Sequence, residues 1–420
     1  MSMVLRLSGF VSRAVSVAWM ASATACSSAQ SPTDATLAHA EDTVAVQASR
    51  PIAFVGVNVV SMRTNAIATE QTVIVRDRRI VAIGPEPSTS VPQDAFVVDA
   101  RGSWMMPGLA DMHVHSVVRD AALYVPHGIT TVRVLWGTPG GQEYARRVLE
   151  EDLRVPTIVS VSPGLDGRPP SWPFTRFVDD ARMAVDTVRR VVGEGWLAIK
   201  IYDRLSREAY DSIVATAHGL GRRVVGHVPF AVTIQHALAS GQDEIEHLSG
   251  YERALGGGWT AVDASRIPGL VTQTVAEGTW NCPTLAIISE IFRQRSAAER
   301  DAVVRNRRRF VKALHDAGAP LLVGTDSGID IVPAGETIHA ELAEFVAAGL
   351  TPYEALRAAT YAPAVWLGIE HEAGTVEVGR RADLLLLDAN PFADVANVRR
   401  LRGVVLRGSW IPKRLLEAPP

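Results

Sequence analysis

The 420-residue chain has little of several features that would narrow its class. Its 42 basic and 45 acidic residues give a net charge of −3, so no global field favours nucleic acid or a membrane surface. Only three of the basic residues are lysines, and Lys200 lies within the apolar run at 196–202, where a cation needs a particular explanation. There are two cysteines, Cys26 and Cys282. If the first belongs to a processed leader, the second has no partner and no structural disulfide is expected.

The first 26 residues have the order of an export signal. Two arginines precede a mildly apolar stretch too short to span a bilayer, and small residues at 23–25 stand directly before Cys26. Small residues before a cysteine are also typical of bacterial lipoprotein processing, although leucine is more usual at the position of Ala23. We expect an exported protein, either periplasmic or anchored to a membrane through a lipidated Cys26. Residues 27–50 are the predicted tether, and a plain N-terminal extension is the alternative.

Short strand patterns occupy both ends of the remaining chain. They are rich in β-branched and aliphatic residues and lie at 52–60, 72–75, 80–83, 383–387 and 403–406. Neither end alone supplies enough strands for a stable sheet. The sequence therefore predicts one small β-sandwich composed of residues 51–105 and 370–415.

Between these ends, residues 106–369 alternate apolar strand patterns with helical patterns. The strand candidates lie at 109–115, 129–135, 156–161, 196–202, 223–228, 244–248, 282–287 and 321–326. Eight βα units in about 250 residues is the usual size of a (β/α)₈ TIM barrel, so we predict an α/β fold of this kind. A doubly wound open sheet is the alternative, but no Gly-rich phosphate fingerprint follows the first strand.

Side chains able to bind a metal end several of the predicted strands. His113 and His115 are two residues apart on the first strand, so both face the same way at the end of the barrel where active sites are built. One such pair is a weak signal, and a lone histidine is as easily a core residue. Five strands ending in such groups are hard to explain by chance. The candidate ligands are His113, His115, Lys200, His227, His247 and Asp326.

These segments resemble the amidohydrolase superfamily, in particular its imidazolonepropionase-like and prolidase-like branch. The resemblance runs from residue 52 to about residue 415, and residues 374–384 resemble the family's return into the β-sandwich. It implies a hydrolase of carbon–nitrogen bonds that holds two divalent metal ions. The first ion would be bound by His113, His115 and Asp326.

The resemblance also implies that His227 and His247 bind the second ion and that Lys200 bridges both as a carbamate formed with CO₂. A cationic ammonium among imidazoles and dications would be strongly disfavoured, whereas a carbamate is an anion with two oxygens. A neutral lysine beside one metal, or a lysine between strand and helix, is the alternative. Zinc is the expected metal, and manganese, cobalt and iron accept the same ligands.

Asp326 has a second predicted role, in proton transfer. Two metals lower the pKa of a bridging water toward neutrality and polarise the carbonyl of the substrate. A carboxylate within reach of that hydroxide can take its proton and pass it to the leaving nitrogen. Asp326 is therefore the predicted general base and general acid.

Three further residues are candidate substrate contacts: Tyr202, His339 and Arg133. Tyr202 lies two residues beyond Lys200 and faces the same way. It resembles a position that contacts the substrate's carboxylate in prolidase-like relatives, and packing at the barrel rim is the alternative. His339 follows the last predicted strand. Arg133 lies on the second, where Val134 departs from the aspartate common in relatives.

The sequence favours hydrolysis of an amide or peptide bond in a small molecule, such as an Xaa-Pro dipeptide or an N-acyl amino acid. A mononuclear hydrolase or deaminase acting on a cyclic amide is one alternative, and it would not need Lys200 as a bridge. A catalytically inactive surface binding protein is another, which the complete set of six ligands disfavours. No nucleic-acid partner is expected, and the oligomeric state is left open.

Overall fold

The computed structural model describes residues 45–115, 118–151, 154–169, 171–329 and 331–416. The predicted export signal, Cys26 and most of the predicted tether therefore lie outside the described residues. Within the described ranges, no helix combines the length and the apolar character that a membrane span requires.

Five strands open the described chain. They are β1 Ile52–Val60, β2 Ile67–Arg76, β3 Arg79–Pro85, β4 Phe96–Asp99 and β5 Trp104–Pro107. One edge of β1 pairs antiparallel with β2, and its other edge pairs in parallel first with β4 and then with β5. Asp77 and Arg78 form the turn between β2 and β3 with φ values of +49° and +67°, as expected of a two-residue hairpin whose twist matches its strands.

The central chain alternates strands and helices. The strands are β6 Leu109–Val114, β7 Ile129–Val134, β8 Thr157–Ser160, β9 Leu165–Asp166, β10 Arg176–Phe177, β11 Ala198–Ile201, β12 Arg223–Gly226, β13 Glu244–Glu246 and β14 Trp280–Cys282. The α-helices are α1 Pro139–Glu150, α2 Ala181–Gly193, α3 Arg207–Gly219, α4 Ile234–Ala239, α5 Tyr251–Ala254, α6 Ile267–Ala276, α7 Leu285–Ile291, α8 Ala297–Asp316, α9 Thr337–Ala347, α10 Pro352–Ala358 and α11 Tyr361–Leu367.

Backbone hydrogen bonds close the strands into a barrel. Strands β6 to β8 are parallel to one another, as are β11 to β14. These two arcs meet where the backbone N–H of Ser162 donates to the carbonyl of Ala198 at 3.0 Å. At the other junction, the extended segment 321–327 bonds to Asn281 of β14 at 2.9 Å and to Met112 of β6 at 3.0 Å. The predicted (β/α)₈ barrel is confirmed.

The seventh barrel strand differs from its prediction. The sequence predicts a strand at 282–287, but β14 ends at Cys282 and α7 begins at Leu285. Thr284 turns the chain between them with φ of +46°. The apolar run after it is a helix rather than a strand, because a short apolar run fits either structure.

The chain then returns to the first sheet. The returning elements are β15 Leu384–Leu387, β16 Leu401–Leu406, β17 Ser409–Pro412 and the short helix α12 Lys413–Leu416. Because β15 pairs antiparallel with β5, the strand order is β17-β16-β15-β5-β1-β2-β3, with β4 beside β1. Val46 also joins this sheet through two backbone bonds with Trp410, at 3.0 and 2.9 Å. The last residues of the predicted tether are thus part of the β-domain.

Alternation along the barrel strands decides which side chains reach the interior. In β11, Ile199 and Ile201 are fully buried and belong to the large apolar core that includes residues of the surrounding helices. The period of two turns the residue between them, Lys200, to the opposite side. Because the barrel strands run parallel, their C-terminal ends meet at one mouth, where the candidate ligands are found.

Candidate metal centre

His113, His115 and Asp326 converge at this mouth, with ligand atoms that all lie within 4.8 Å of one another. The Nε2 atoms of the two histidines are 3.3 Å apart, and Oδ1 of Asp326 lies 3.1 Å from His113 Nε2 and 2.7 Å from His115 Nε2. This Oδ1 atom is buried, and none of its contacts with the described residues has the geometry of a hydrogen bond. Three potential ligand atoms therefore face one point, and one of them is a carboxylate oxygen without a hydrogen bond to the described residues. This arrangement fits a divalent cation.

His247 and His227 extend this cluster. The ring of His247 is centred 4.7 Å from that of His113 and 5.0 Å from that of His227. Burial above all lowers the pKa of both rings. Neutral imidazoles offer the lone pairs that a metal requires.

Oxygen partners hold three of the imidazoles in place. The Nδ1 atoms pair at 2.7, 2.8 and 2.6 Å in the contacts His113–Glu246, His227–Asp203 and His247–Thr284. A carboxylate only accepts hydrogen bonds, so His113 and His227 donate from Nδ1 and keep the lone pair of Nε2 for a ligand. Second partners of this kind are usual for histidines that bind metals.

Sequence reasoning missed these three partners, although two of them carry a signal. Glu246 directly precedes His247, and Asp203 directly follows Tyr202. At each of these two strand ends, a carboxylate residue adjoins a candidate site residue. This adjacency could have identified both carboxylates as hydrogen-bond partners of the histidines. Thr284 carries no such signal, because its position depends on the turn between β14 and α7.

Charge within the cluster favours a cation at its centre. Burial opposes the ionised form of Asp326, but the imidazoles of His113 and His247 hold the pKa of this carboxyl well below its usual range. Burial likewise disfavours the protonated form of His113, but Glu246 and Asp326 raise the pKa of its imidazole to about 9. The same surroundings that stabilise a proton on His113 would stabilise a metal ion beside it.

Lys200 is a buried amine without a partner. Its side chain is almost completely buried, and its ammonium nitrogen has no hydrogen bond or ion pair with the residues that the structure describes. Burial lowers the pKa of this amine. A neutral amine is the form that adds CO₂, so the surroundings of Lys200 fit carbamate formation as well as a bridging role.

Backbone strain occurs at two of the candidate ligands. His247 and Asp326 both have left-handed backbone conformations, with φ of +58° and +60°. A non-glycine residue in this region costs about 1–3 kcal/mol and persists only where its surroundings enforce it. Strain at the ends of β13 and of the segment 321–327 turns both side chains toward the other ligands.

The structure separates the three candidate substrate residues. The ring of Tyr202 is centred 4.1 Å from that of His227, so it lies beside the candidate ligands. Arg133 is fully buried, and its guanidinium bonds to both carboxylate oxygens of Glu244 at 2.5 and 2.6 Å and to the backbone of Met112 at 2.7 Å. These bonds give Arg133 a structural role inside the barrel, and we do not retain it as a substrate contact.

His339 lies apart from the candidate ligands. Its ring is centred 5.7 Å from that of His127, and both histidines line a cavity with Arg399, Leu401 and Lys413 that none of the six candidate ligands borders. The sequence places His339 after the last barrel strand but does not show that the following loop carries it away from the mouth. We therefore do not retain it as a substrate contact either.

Glu246→Gln tests whether the partner of His113 supports metal binding. The amide can point its N–H₂ group at the ring, which would turn the lone pair of His113 away from the metal. We expect metal affinity to fall about 10- to 100-fold, as for other partners of metal-binding histidines, measured by competition with a chelator. The exposed Glu277→Gln is the matched control, and an unchanged affinity in Glu246→Gln would contradict this role.

Comparison with known proteins agrees with this geometry. The model of the Amidohydrolase family matches residues 125–411, and the chain belongs to this family. An uncharacterized protein of Mycobacterium tuberculosis is 26% identical over 73% of this chain and 85% of its own. Adenine deaminase 3 of Rhizobium meliloti is 25% identical over 73% of this chain, which spans only 50% of that enzyme.

A solved structure supports the same assignment. A protein of Bifidobacterium longum, provisionally described as a prolidase, superposes with a TM-score of 0.73 at 25% identity, covering 87% of this chain and 95% of its own. The predicted resemblance to prolidase-like amidohydrolases is thereby confirmed. Membership of this family and the similarity to this structure support a hydrolase that acts on carbon–nitrogen bonds.

Proposed function

We propose that this protein hydrolyses a linear amide or peptide bond with the help of two divalent metal ions. The observation that carries the proposal is the convergence of the Nε2 atoms of His113 and His115 on the unsatisfied Oδ1 of Asp326. These three residues would hold one ion. His227 and His247 would hold the other, and a carboxylated Lys200 would bridge the two.

The bound ions would supply Lewis acidity, which polarises the scissile carbonyl and acidifies water. Asp326 would supply proton transfer. The charge of His113 above all holds the pKa of its carboxyl well below the usual range, so it is ionised at neutral pH. It can therefore accept the proton of an attacking water and deliver it to the leaving nitrogen.

The substrate class we propose is an Xaa-Pro dipeptide or an N-acyl amino acid. Similarity to the prolidase-like structure supports it, and Tyr202 is the residue we retain as a substrate contact. The second candidate is a deaminase or cyclic-amide hydrolase with a single metal, and similarity to adenine deaminase 3 supports its deaminase form. The two candidates differ in the need for an anionic bridge at Lys200.

A substrate screen decides between these candidates. The protein is loaded with zinc, manganese or cobalt and offered Xaa-Pro dipeptides, N-acyl amino acids, cyclic amides and adenine. We expect turnover of linear amides that disappears when a chelator strips the metal. Turnover confined to adenine or cyclic amides would favour the single-metal reading, and no turnover of any compound would favour a binding protein.

A further inference from the structure

Two tryptophans lie beside the metal centre. Trp172 belongs to the loop between β9 and β10, and its ring stacks on that of His115 with centroids 6.4 Å apart and planes inclined by 18°. Its indole N–H donates to the hydroxyl of Tyr202 at 2.8 Å. Trp136, which follows β7, meets the ring of Tyr202 edge to face at 5.3 Å. We call Trp136, Trp172 and Tyr202 the aromatic wall.

The aromatic wall borders both proposed metal positions. Trp172 contacts His115 of the first metal group, and Tyr202 contacts His227 of the second. A substrate whose amide reaches both metals would therefore lie close to these rings.

Hydrogen bonds hold the loop that carries Trp172. The carboxylate of Asp166 accepts from the backbone N–H of Arg204 at 2.6 Å and from the hydroxyl of Ser171 at 3.0 Å. The indole N–H of Trp136 donates to the carbonyl of Pro173 at 3.0 Å. The loop is thus tied on both sides of Trp172, and a preorganised surface loses little entropy when a ligand binds.

The polar atoms of the two tryptophans are already used. Both indole N–H groups donate within the structure, one to Tyr202 and one to Pro173. What Trp172 offers to the mouth is its ring, and 44% of the surface of this residue is exposed. An exposed indole with its donor satisfied is suited to a flat apolar partner, since aromatic pairs gain energy beyond the burial of their area.

We propose that the aromatic wall is a specificity subsite for a planar apolar group, so that the substrates are amides carrying an aromatic substituent rather than only small aliphatic ones. Trp172 is the specificity-determining residue, and Trp136 positions it through Pro173. This inference rests on the proposed hydrolysis at the adjacent metal centre. The chemistry that recognises the substrate is ring stacking.

Two carboxylate probes test the subsite without relying on turnover. Phenylacetate and acetate are titrated calorimetrically into the zinc-loaded protein, and the ratio of their dissociation constants is the readout. We expect phenylacetate to bind at least about tenfold more tightly. This is the gain in affinity expected from stacking one aromatic ring and burying its surface area. In Trp172→Ala this ratio should fall to near one, whereas Trp172→Phe should retain most of it.

Phe174→Ala is the matched control. It removes an aromatic ring two residues along the same loop that is 75% exposed and makes no ring contact with a candidate ligand, so the ratio should be kept. The unfolding midpoint of each variant is measured beside the titration. A wild-type ratio near one, or an equal loss of both probes in Trp172→Ala with the fold intact, would overturn the proposal.

The same variants separate this inference from the proposed function. Hydrolysis of N-benzoyl and N-acetyl amino acids at equal rates would leave the proposed function standing and reject the subsite. A preference for phenylacetate without hydrolysis of any amide would keep the subsite and reject the proposed function.

Discussion

Asp326→Asn is expected to lower kcat by about 10²- to 10⁴-fold, the usual contribution of a positioned proton carrier. The amide keeps the shape and one oxygen of the carboxylate but cannot accept the proton of the attacking water. Metal content should change little, because the imidazoles of the cluster are untouched. Steady-state kinetics and elemental analysis of the same preparation measure both quantities.

A matched variant makes this result interpretable. Asp301 is an exposed carboxylate on α8, and Asp301→Asn should keep the wild-type rate. Turnover of Asp326→Asn near that of the wild type would contradict the proton-transfer role. Loss of one metal together with the rate would instead assign Asp326 to metal binding alone.

Lys200→Ala is the second change with a large expected effect. It removes the proposed bridge, so the protein should retain about one metal per chain instead of two. The rate should fall by more than about 100-fold, because the loss of a mere supporting partner already costs 10- to 100-fold. Adding propionate or another short carboxylate should restore part of the rate, since it can occupy the space of the missing carbamate.

The control for this change is a lysine on the protein surface. Lys312 pairs with Asp316 on the surface of α8, and Lys312→Ala should keep both metal content and rate. Labelling with ¹³C-bicarbonate should give a carbamate resonance in the wild type that Lys200→Ala lacks. Full metal content in Lys200→Ala would contradict the bridging role.

Most of the proposed metal centre could be predicted from the sequence for a simple physical reason. The period of two along a strand and the common direction of parallel strands together fix where residues at strand ends must meet. These two rules are sufficient to predict that His113, His115 and Asp326 lie close together. The prediction of Lys200 as a ligand also rests on its position within an apolar run, where a cation requires an explanation.

The remaining features depend on loops and on contacts that no spacing encodes. The period of two also turns Arg133 toward the barrel interior. Only the structure shows that its guanidinium already donates hydrogen bonds to the carboxylate of Glu244. His339 follows the last barrel segment in sequence and yet lines a different cavity. Trp172 is beside His115 because its loop is tied to Asp166, a contact between residues that the sequence gives no reason to pair.

The number of metal ions per chain tests the central claim most directly. The protein is purified in the presence of bicarbonate, and its zinc, manganese, cobalt and iron are measured against protein concentration. The proposed centre of six ligands predicts two divalent ions per chain, both removed together with activity by a chelator. A value of one per chain that bicarbonate does not change would contradict the two-metal centre.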